Sequence, residues 1–89
     1  MSSTLKDIQY QYYDSLVSLI TPIRDEIYYG GRFENHDYAS RAKYNNMLTE
    51  ALNIYTNMVV NCKDKEDTYI ALKICMSHIY GIIFNNKMV

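Results

Sequence analysis

Apolar residues recur at spacings of three and four along three long stretches of the chain, with few breaks between them. The first stretch carries Leu5, Ile8, Tyr12, Leu16, Leu19, Ile23 and Ile27, the stripe of an amphipathic helix. Ser2, Ser3 or Thr4 can cap its start. Thr21-Pro22 pairs an N-cap residue with a first-turn proline, which is a restart signal. The pattern predicts a helix to about residue 20, a kink, and a short helix to residue 29. Gly30-Gly31 marks the stop, with the first glycine expected in a left-handed cap. Residues 32–36 read as a polar loop.

In the second stretch Tyr44, Met47, Leu48, Ala51, Leu52, Tyr55, Met58, Val59 and Cys62 form one apolar face. Asn35 or Asp37 can cap this helix, expected over about 37–61. Lys63-Asp64-Lys65 predicts a tight turn in which Asp64 caps the last helix. Glu66 and Asp67 place negative charge in the first turn, where the helix dipole favours it. That helix is expected over about 65–85, with Tyr69, Leu72, Met76, Ile79 and Ile83 as a heptad-like seam. Ile70, Ile74, Cys75, Ile82 and Phe84 form a second stripe beside it.

Short connections make consecutive helices antiparallel neighbours. The chain therefore reads as one all-α domain over 1–89. It is a small bundle built on a hairpin of 37–61 against 65–85, with a kinked N-terminal helix over 4–29 on one side. The last helix is apolar around more than half its circumference, and such a helix must be covered on several sides. A homo-oligomer follows as the expectation; a compact monomeric four-helix bundle is the alternative.

Composition narrows the partners. The 89 residues are 48% apolar and 21% charged with a net charge of −1. That balance argues against a strongly basic binder of duplex DNA or RNA, while leaving room for a local basic pocket. Cys62 and Cys75 lack CxxC spacing and read as small buried hydrophobes of a reduced protein. A disulfide between their helices would require an oxidising compartment. The polar start carries no signal-like segment, and no apolar run reaches the ~18 residues of a membrane span. The expectation is a cytoplasmic protein that does not enter the membrane. The bias toward Asn, Ile, Tyr and Lys fits an AT-rich genome, as in a phage or a low-GC bacterium.

Tyrosine is the strongest compositional signal: ten residues, with no tryptophan. A tyrosine has an apolar body and a polar tip, so it suits grooves and interfaces. Five of the ten fall in the first third: Tyr10, Tyr12, Tyr13, Tyr28 and Tyr29. Tyr10, Tyr13, Val17 and Arg24 follow a stripe displaced from the core stripe. Rings stack on nucleobases and a guanidinium forks onto phosphate. The plainer alternative is helix packing, with Arg24 paired to Asp25, Glu26 or solvent. Tyr28-Tyr29-Gly30-Gly31-Arg32 offers either a clamp for a flat anion or a helix end with surface aromatics.

Other candidates are thinner. His36-Asp37 is a loop histidine beside a cap, or the start of a metal site that lacks further ligands. His78 lies beside the expected seam, as an interface histidine or a ligand contact. Lys63, Lys65 and Lys73 alternate with Asp64, Glu66 and Asp67, the pattern of a solvated mixed-charge turn. No phosphate-binding loop, dinucleotide fingerprint, zinc-protease motif or nucleophile elbow occurs. With no nucleophile, base and oxyanion site assembled, the expectation is a non-enzyme without cofactor.

The final stretch, DTYIALKICMSHIYGIIFNNK, resembles the last helix of the phage anti-CBASS protein 2 family. Asp67 and Tyr69 match that helix's acidic and aromatic start, and Ser77-His78 its Thr-His step. Gly81 matches its glycine and Asn86-Lys87 its Asn-basic end. The likeness covers about a quarter of the chain. It implies a small all-helical sponge, hexameric in that family, that sequesters cyclic oligonucleotide immune signals between protomers. By the same resemblance Tyr10 or Tyr12 would stack on a base, Arg24 would contact phosphate, and His78 would belong to a second pocket for cyclic trinucleotides. The rival expectation is a protein–protein inhibitor, such as a bacteriocin immunity protein, an anti-CRISPR or another phage host-takeover factor. Tyrosine-rich helical faces serve that role equally well.

Overall fold

Thr4 opens the first helix with a capping box. Its hydroxyl accepts from the Asp7 amide at 3.1 Å, and the Asp7 carboxylate accepts from the Thr4 amide at 3.3 Å. The structure, a computed structural model, describes residues 4–85, apart from the side chains of Arg32 and Asn85. Ser2, Ser3, Asn86 and Lys87 lie outside the described residues. Three antiparallel helices follow in order: α1 (Leu5–Tyr29), α2 (Tyr38–Val59) and α3 (Lys65–Asn85). The expected all-α bundle is present, with no strand among the described residues.

α1 runs through Pro22 without the expected restart. Thr21 does not cap a second helix; its hydroxyl donates back to the Val17 carbonyl at 2.8 Å. Proline has no N–H, so the Ser18 carbonyl loses its usual helical donor. Packing along the helix tolerates that loss because Pro22 faces solvent. Leu16, Ile20 and Ile27 are the buried residues of α1.

The α1–α2 connection departs further from expectation. Gly30 closes α1 in extended backbone (φ −83°, ψ 149°), not in a left-handed cap. Gly31–Phe33 then form a 3-10 turn. This is no merely polar loop, because Phe33 is a core residue, 1% exposed. Its ring lies 5.7 Å from Tyr44 and 4.9 Å from His36. Arg41 ties the turn down, donating to the Tyr28 carbonyl at 3.1 Å and the Phe33 carbonyl at 2.7 Å. Asp37 caps α2 by accepting from the Ser40 amide at 2.8 Å, and that bond holds its carboxyl below the ordinary value of 3.8.

Leu48, Ala51, Leu52 and Tyr55 give α2 its buried face, as the spacing predicts. Asp64 caps α3 through the Asp67 amide at 2.8 Å. The face α3 turns inward is rotated from the expected seam. Thr68, Ala71, Cys75, Ile79 and Ile82 are buried, whereas Tyr69 is 48% exposed. Small Thr68 and Ala71 let α3 lie close against its neighbours. The Cys75 thiol donates to the Ala51 carbonyl at 3.0 Å, and burial pushes its pKa up. Both cysteines are free. Among the described residues no helix is long and apolar enough to cross a membrane.

Candidate functional site

A groove of about 360 Å³ lies between the N-terminal half of α1 and the C-terminal half of α2. It is lined from α1 by Lys6, Gln9, Tyr10 and Tyr13 and from α2 by Tyr55, Thr56 and Val59. Lys6, Tyr10 and Tyr13 are spaced four and three apart, so they share one face of α1. Tyr10 is 61% exposed and Tyr13 is half-buried. Lys6, itself exposed, adds a positive charge one turn before Tyr10.

The floor of the groove is fixed from all three helices. Tyr55 is 1% exposed, and its hydroxyl donates to the Gln9 carbonyl at 2.6 Å. Burial pushes the Tyr55 phenol up to about 12, so it stays a neutral donor across the physiological range. The Gln9 side-chain amide donates to the Thr68 hydroxyl of α3 at 3.4 Å. That hydroxyl in turn donates to the Asp64 carbonyl at 2.9 Å. These bonds give a rigid polar base beneath mostly apolar walls.

The six candidate residues do not converge. Tyr10 and Tyr13 line the groove. Tyr12 turns toward α3, its ring 6.4 Å from Tyr69 in an edge-on arrangement. Arg24 lies fourteen residues beyond Tyr10 on α1, about 20 Å along the helix. There it donates to the Thr49 hydroxyl at 2.7 Å, not to Asp25 or Glu26, and its Nε is buried without a hydrogen-bond partner. A single chain therefore does not bring Arg24 to the tyrosines.

Tyr28 sits at the far end of α1, its ring 6.4 Å from that of Tyr29. The turn that follows is held by Arg41, and the Arg32 side chain of the expected clamp lies outside the described residues. His78 is exposed on α3, away from the groove. His36 packs among aromatic rings, and no cluster of metal-ligating side chains exists among the described residues. Lys73 sits over the Tyr69 ring at 5.5 Å, apart from the Lys63–Lys65 turn.

Sequence reasoning missed Lys6 and Tyr55. The Lys6–Tyr10–Tyr13–Val17 spacing was a usable signal for Lys6. Tyr55 looked like any core aromatic of α2, and only the helix pairing shows where its hydroxyl goes. The groove can hold a flat ring between aromatic walls and an anion beside Lys6. It assembles no nucleophile with a base. No family model matches the chain, and no curated protein or solved structure was found to be similar to it.

Proposed function

We propose that the protein is a non-catalytic binding protein that sequesters cyclic di- or trinucleotide immune signals. In this reading it is a phage anti-defence sponge acting in the host cytoplasm. The observation that carries the proposal is the α1–α2 groove, which combines the Tyr10 and Tyr13 rings with the Lys6 ammonium. Stacking on such rings contributes about 1–3 kcal/mol per base, and the ammonium neutralises phosphate. At about 360 Å³ the groove is near the lower end of small-molecule sites, roughly 300–1,000 Å³. It suits one base and its phosphate, and the rest of a cyclic oligonucleotide would be taken by the groove of a second protomer. Sequestration requires tight binding alone.

Isothermal titration with a panel of cyclic di- and trinucleotides tests this. The expected result is submicromolar binding, with intact ligand recovered after denaturation. Tyr13→Ala should weaken binding about 5- to 150-fold, and Lys6→Glu should weaken it further while removing much of its salt dependence. No heat with any member of the panel, or full affinity after both substitutions, overturns the proposal.

A second reading is a protein–protein inhibitor. It is favoured by Tyr29 and Tyr38, 88% and 77% exposed, which flank the α1–α2 connection away from the groove. Aromatic residues so exposed are common anchors at interfaces.

A further inference from the structure

α3 has two apolar faces, and the fold uses one. Its buried residues, from Thr68 to Ile82, face α1 and α2. On the opposite side Ile70, Ile74, Tyr80 and Phe84 are 52%, 37%, 41% and 73% exposed. At 100° per residue these four, with Lys73, Ser77 and Gly81, fall within an arc of about 120°. Tyr69 borders the arc, and the Tyr80 and Phe84 rings stack on each other at 6.3 Å. A shallow trough of about 480 Å³ runs beside the stripe, lined by Tyr69, Lys73, Met76, Ser77 and Tyr80.

We propose that this stripe is the interface of a symmetric homodimer in which α3 packs antiparallel on α3 of a second copy, with the two-fold axis at Ser77. The proposal goes beyond ligand binding, since no α3 residue lines the groove.

The occupant follows from self-complementarity. An antiparallel mate centred on Ser77 places Ile70 opposite Phe84 and Ile74 opposite Tyr80. It also places Lys73 opposite Gly81, where the absence of a side chain leaves room for the lysine stem. Ser77 meets its own copy, and so small a residue lets the two helices approach closely at the axis. A two-fold contact requires this kind of self-matching patch.

Charge permits the arrangement. Between Ile70 and Phe84 Lys73 is the sole charged residue of the stripe, with Glu66 one turn before it on the same face, and the ring of its own Tyr69 partly satisfies Lys73. The two copies of Lys73 are separated along the axis by eight residues, about 12 Å. That exceeds the Debye length of roughly 8 Å at physiological salt.

Area agrees as well. Whole side chains of this size present about 150–250 Å², so the four stripe residues together with bordering Tyr69 leave about 500 Å² open. A monomer carries a patch that large chiefly where it is functional. Two copies together would cover about 1,000 Å², the lower limit for a specific interface.

Sedimentation equilibrium of the full chain tests the proposal. The expected mass is twice the chain's 10.5 kDa at micromolar protein. Ile70→Glu with Phe84→Glu should weaken self-association by about a hundredfold or more, with the helical circular dichroism unchanged. Tyr29→Glu, at a more exposed position off the stripe, should leave the dimer intact. Ser77→Cys, with Cys62→Ser to remove the other accessible thiol, should cross-link as a disulfide dimer under mild oxidation; it decides the matter even if the double variant fails to fold. A chain that stays monomeric at millimolar concentration leaves the stripe to a different partner and overturns the proposal. So does a dimer that survives the double substitution, or one in which Ser77→Cys does not cross-link.

Discussion

Removing one oxygen from the floor of the groove should change how stability depends on pH. Tyr55→Phe deletes the hydroxyl that donates to the Gln9 carbonyl at 2.6 Å and keeps the buried ring. The Gln9 carbonyl retains its helical partner within α1, so the loss is one net hydrogen bond, about 1 kcal/mol. In a domain of this size that lowers Tm by roughly 4–8 °C. Alkali reverses the order. Burial raises the phenol from 10.0 to about 12. A group whose pKa is raised on folding contributes stability that is fully present below its unfolded value and lost as pH rises through its folded value. Between those two values the native protein should lose about 2–3 kcal/mol from this phenol, a loss that Tyr55→Phe escapes. The native chain should be the more stable at neutral pH, and the two stability curves should cross near about pH 11. Urea titrations of both proteins at intervals from neutral to strongly alkaline pH measure this directly. Parallel curves would show that the phenol is not buried against Gln9. A variant as stable as the native chain at neutral pH would show that the hydrogen bond is absent.

Other substitutions probe the framework. Phe33→Ala should cost about 3–5 kcal/mol by urea titration, a large part of the stability of so small a domain, although Phe33 lies outside the three long helices. Pro22→Ala restores a donor to the Ser18 carbonyl on an exposed face and should raise stability by up to about 3 kcal/mol, read as an increase in Tm. In native protein an alkylating reagent should modify half-buried Cys62 well before Cys75, whose thiol is buried on the Ala51 carbonyl. Mass spectrometry of timed digests should show Cys75 labelled only as the chain unfolds.

The helices were legible because their periodicity and caps are local. Thr4, Asp37 and Asp64 each cap the helix that follows them, and the α2 stripe around Leu48, Ala51, Leu52 and Tyr55 is the face that packs. The orientation of α3 was not legible. Both its sides are apolar, and aromatic Tyr69 has more apolar surface to bury than Thr68 or Ala71. Close approach to α1 and α2 selects the smaller pair. Phe33 was hidden by its neighbours Arg32, Glu34 and Asn35; its burial depends on Tyr44 and on the carbonyl bonds from Arg41, which are tertiary facts. At the groove the tyrosine stripe was visible, but Arg24 drew attention from Lys6. A stripe along a 25-residue helix extends well beyond the reach of any one site.

Gln9 joins three helices through two hydrogen bonds, and it does so within the second turn of α1. Lys6, Tyr10 and Tyr13 ride on the same turns. Fraying of that segment would withdraw the whole α1 wall of the groove at once, so on the proposed reading a ligand held there would share one equilibrium with local unfolding of the α1 terminus. A ligand present at a hundred times its dissociation constant would bias that equilibrium toward the closed form by about 2.7 kcal/mol. Amide hydrogens over the first turns of α1 would then exchange about a hundredfold more slowly, while those at the Phe33 end would keep their free rates.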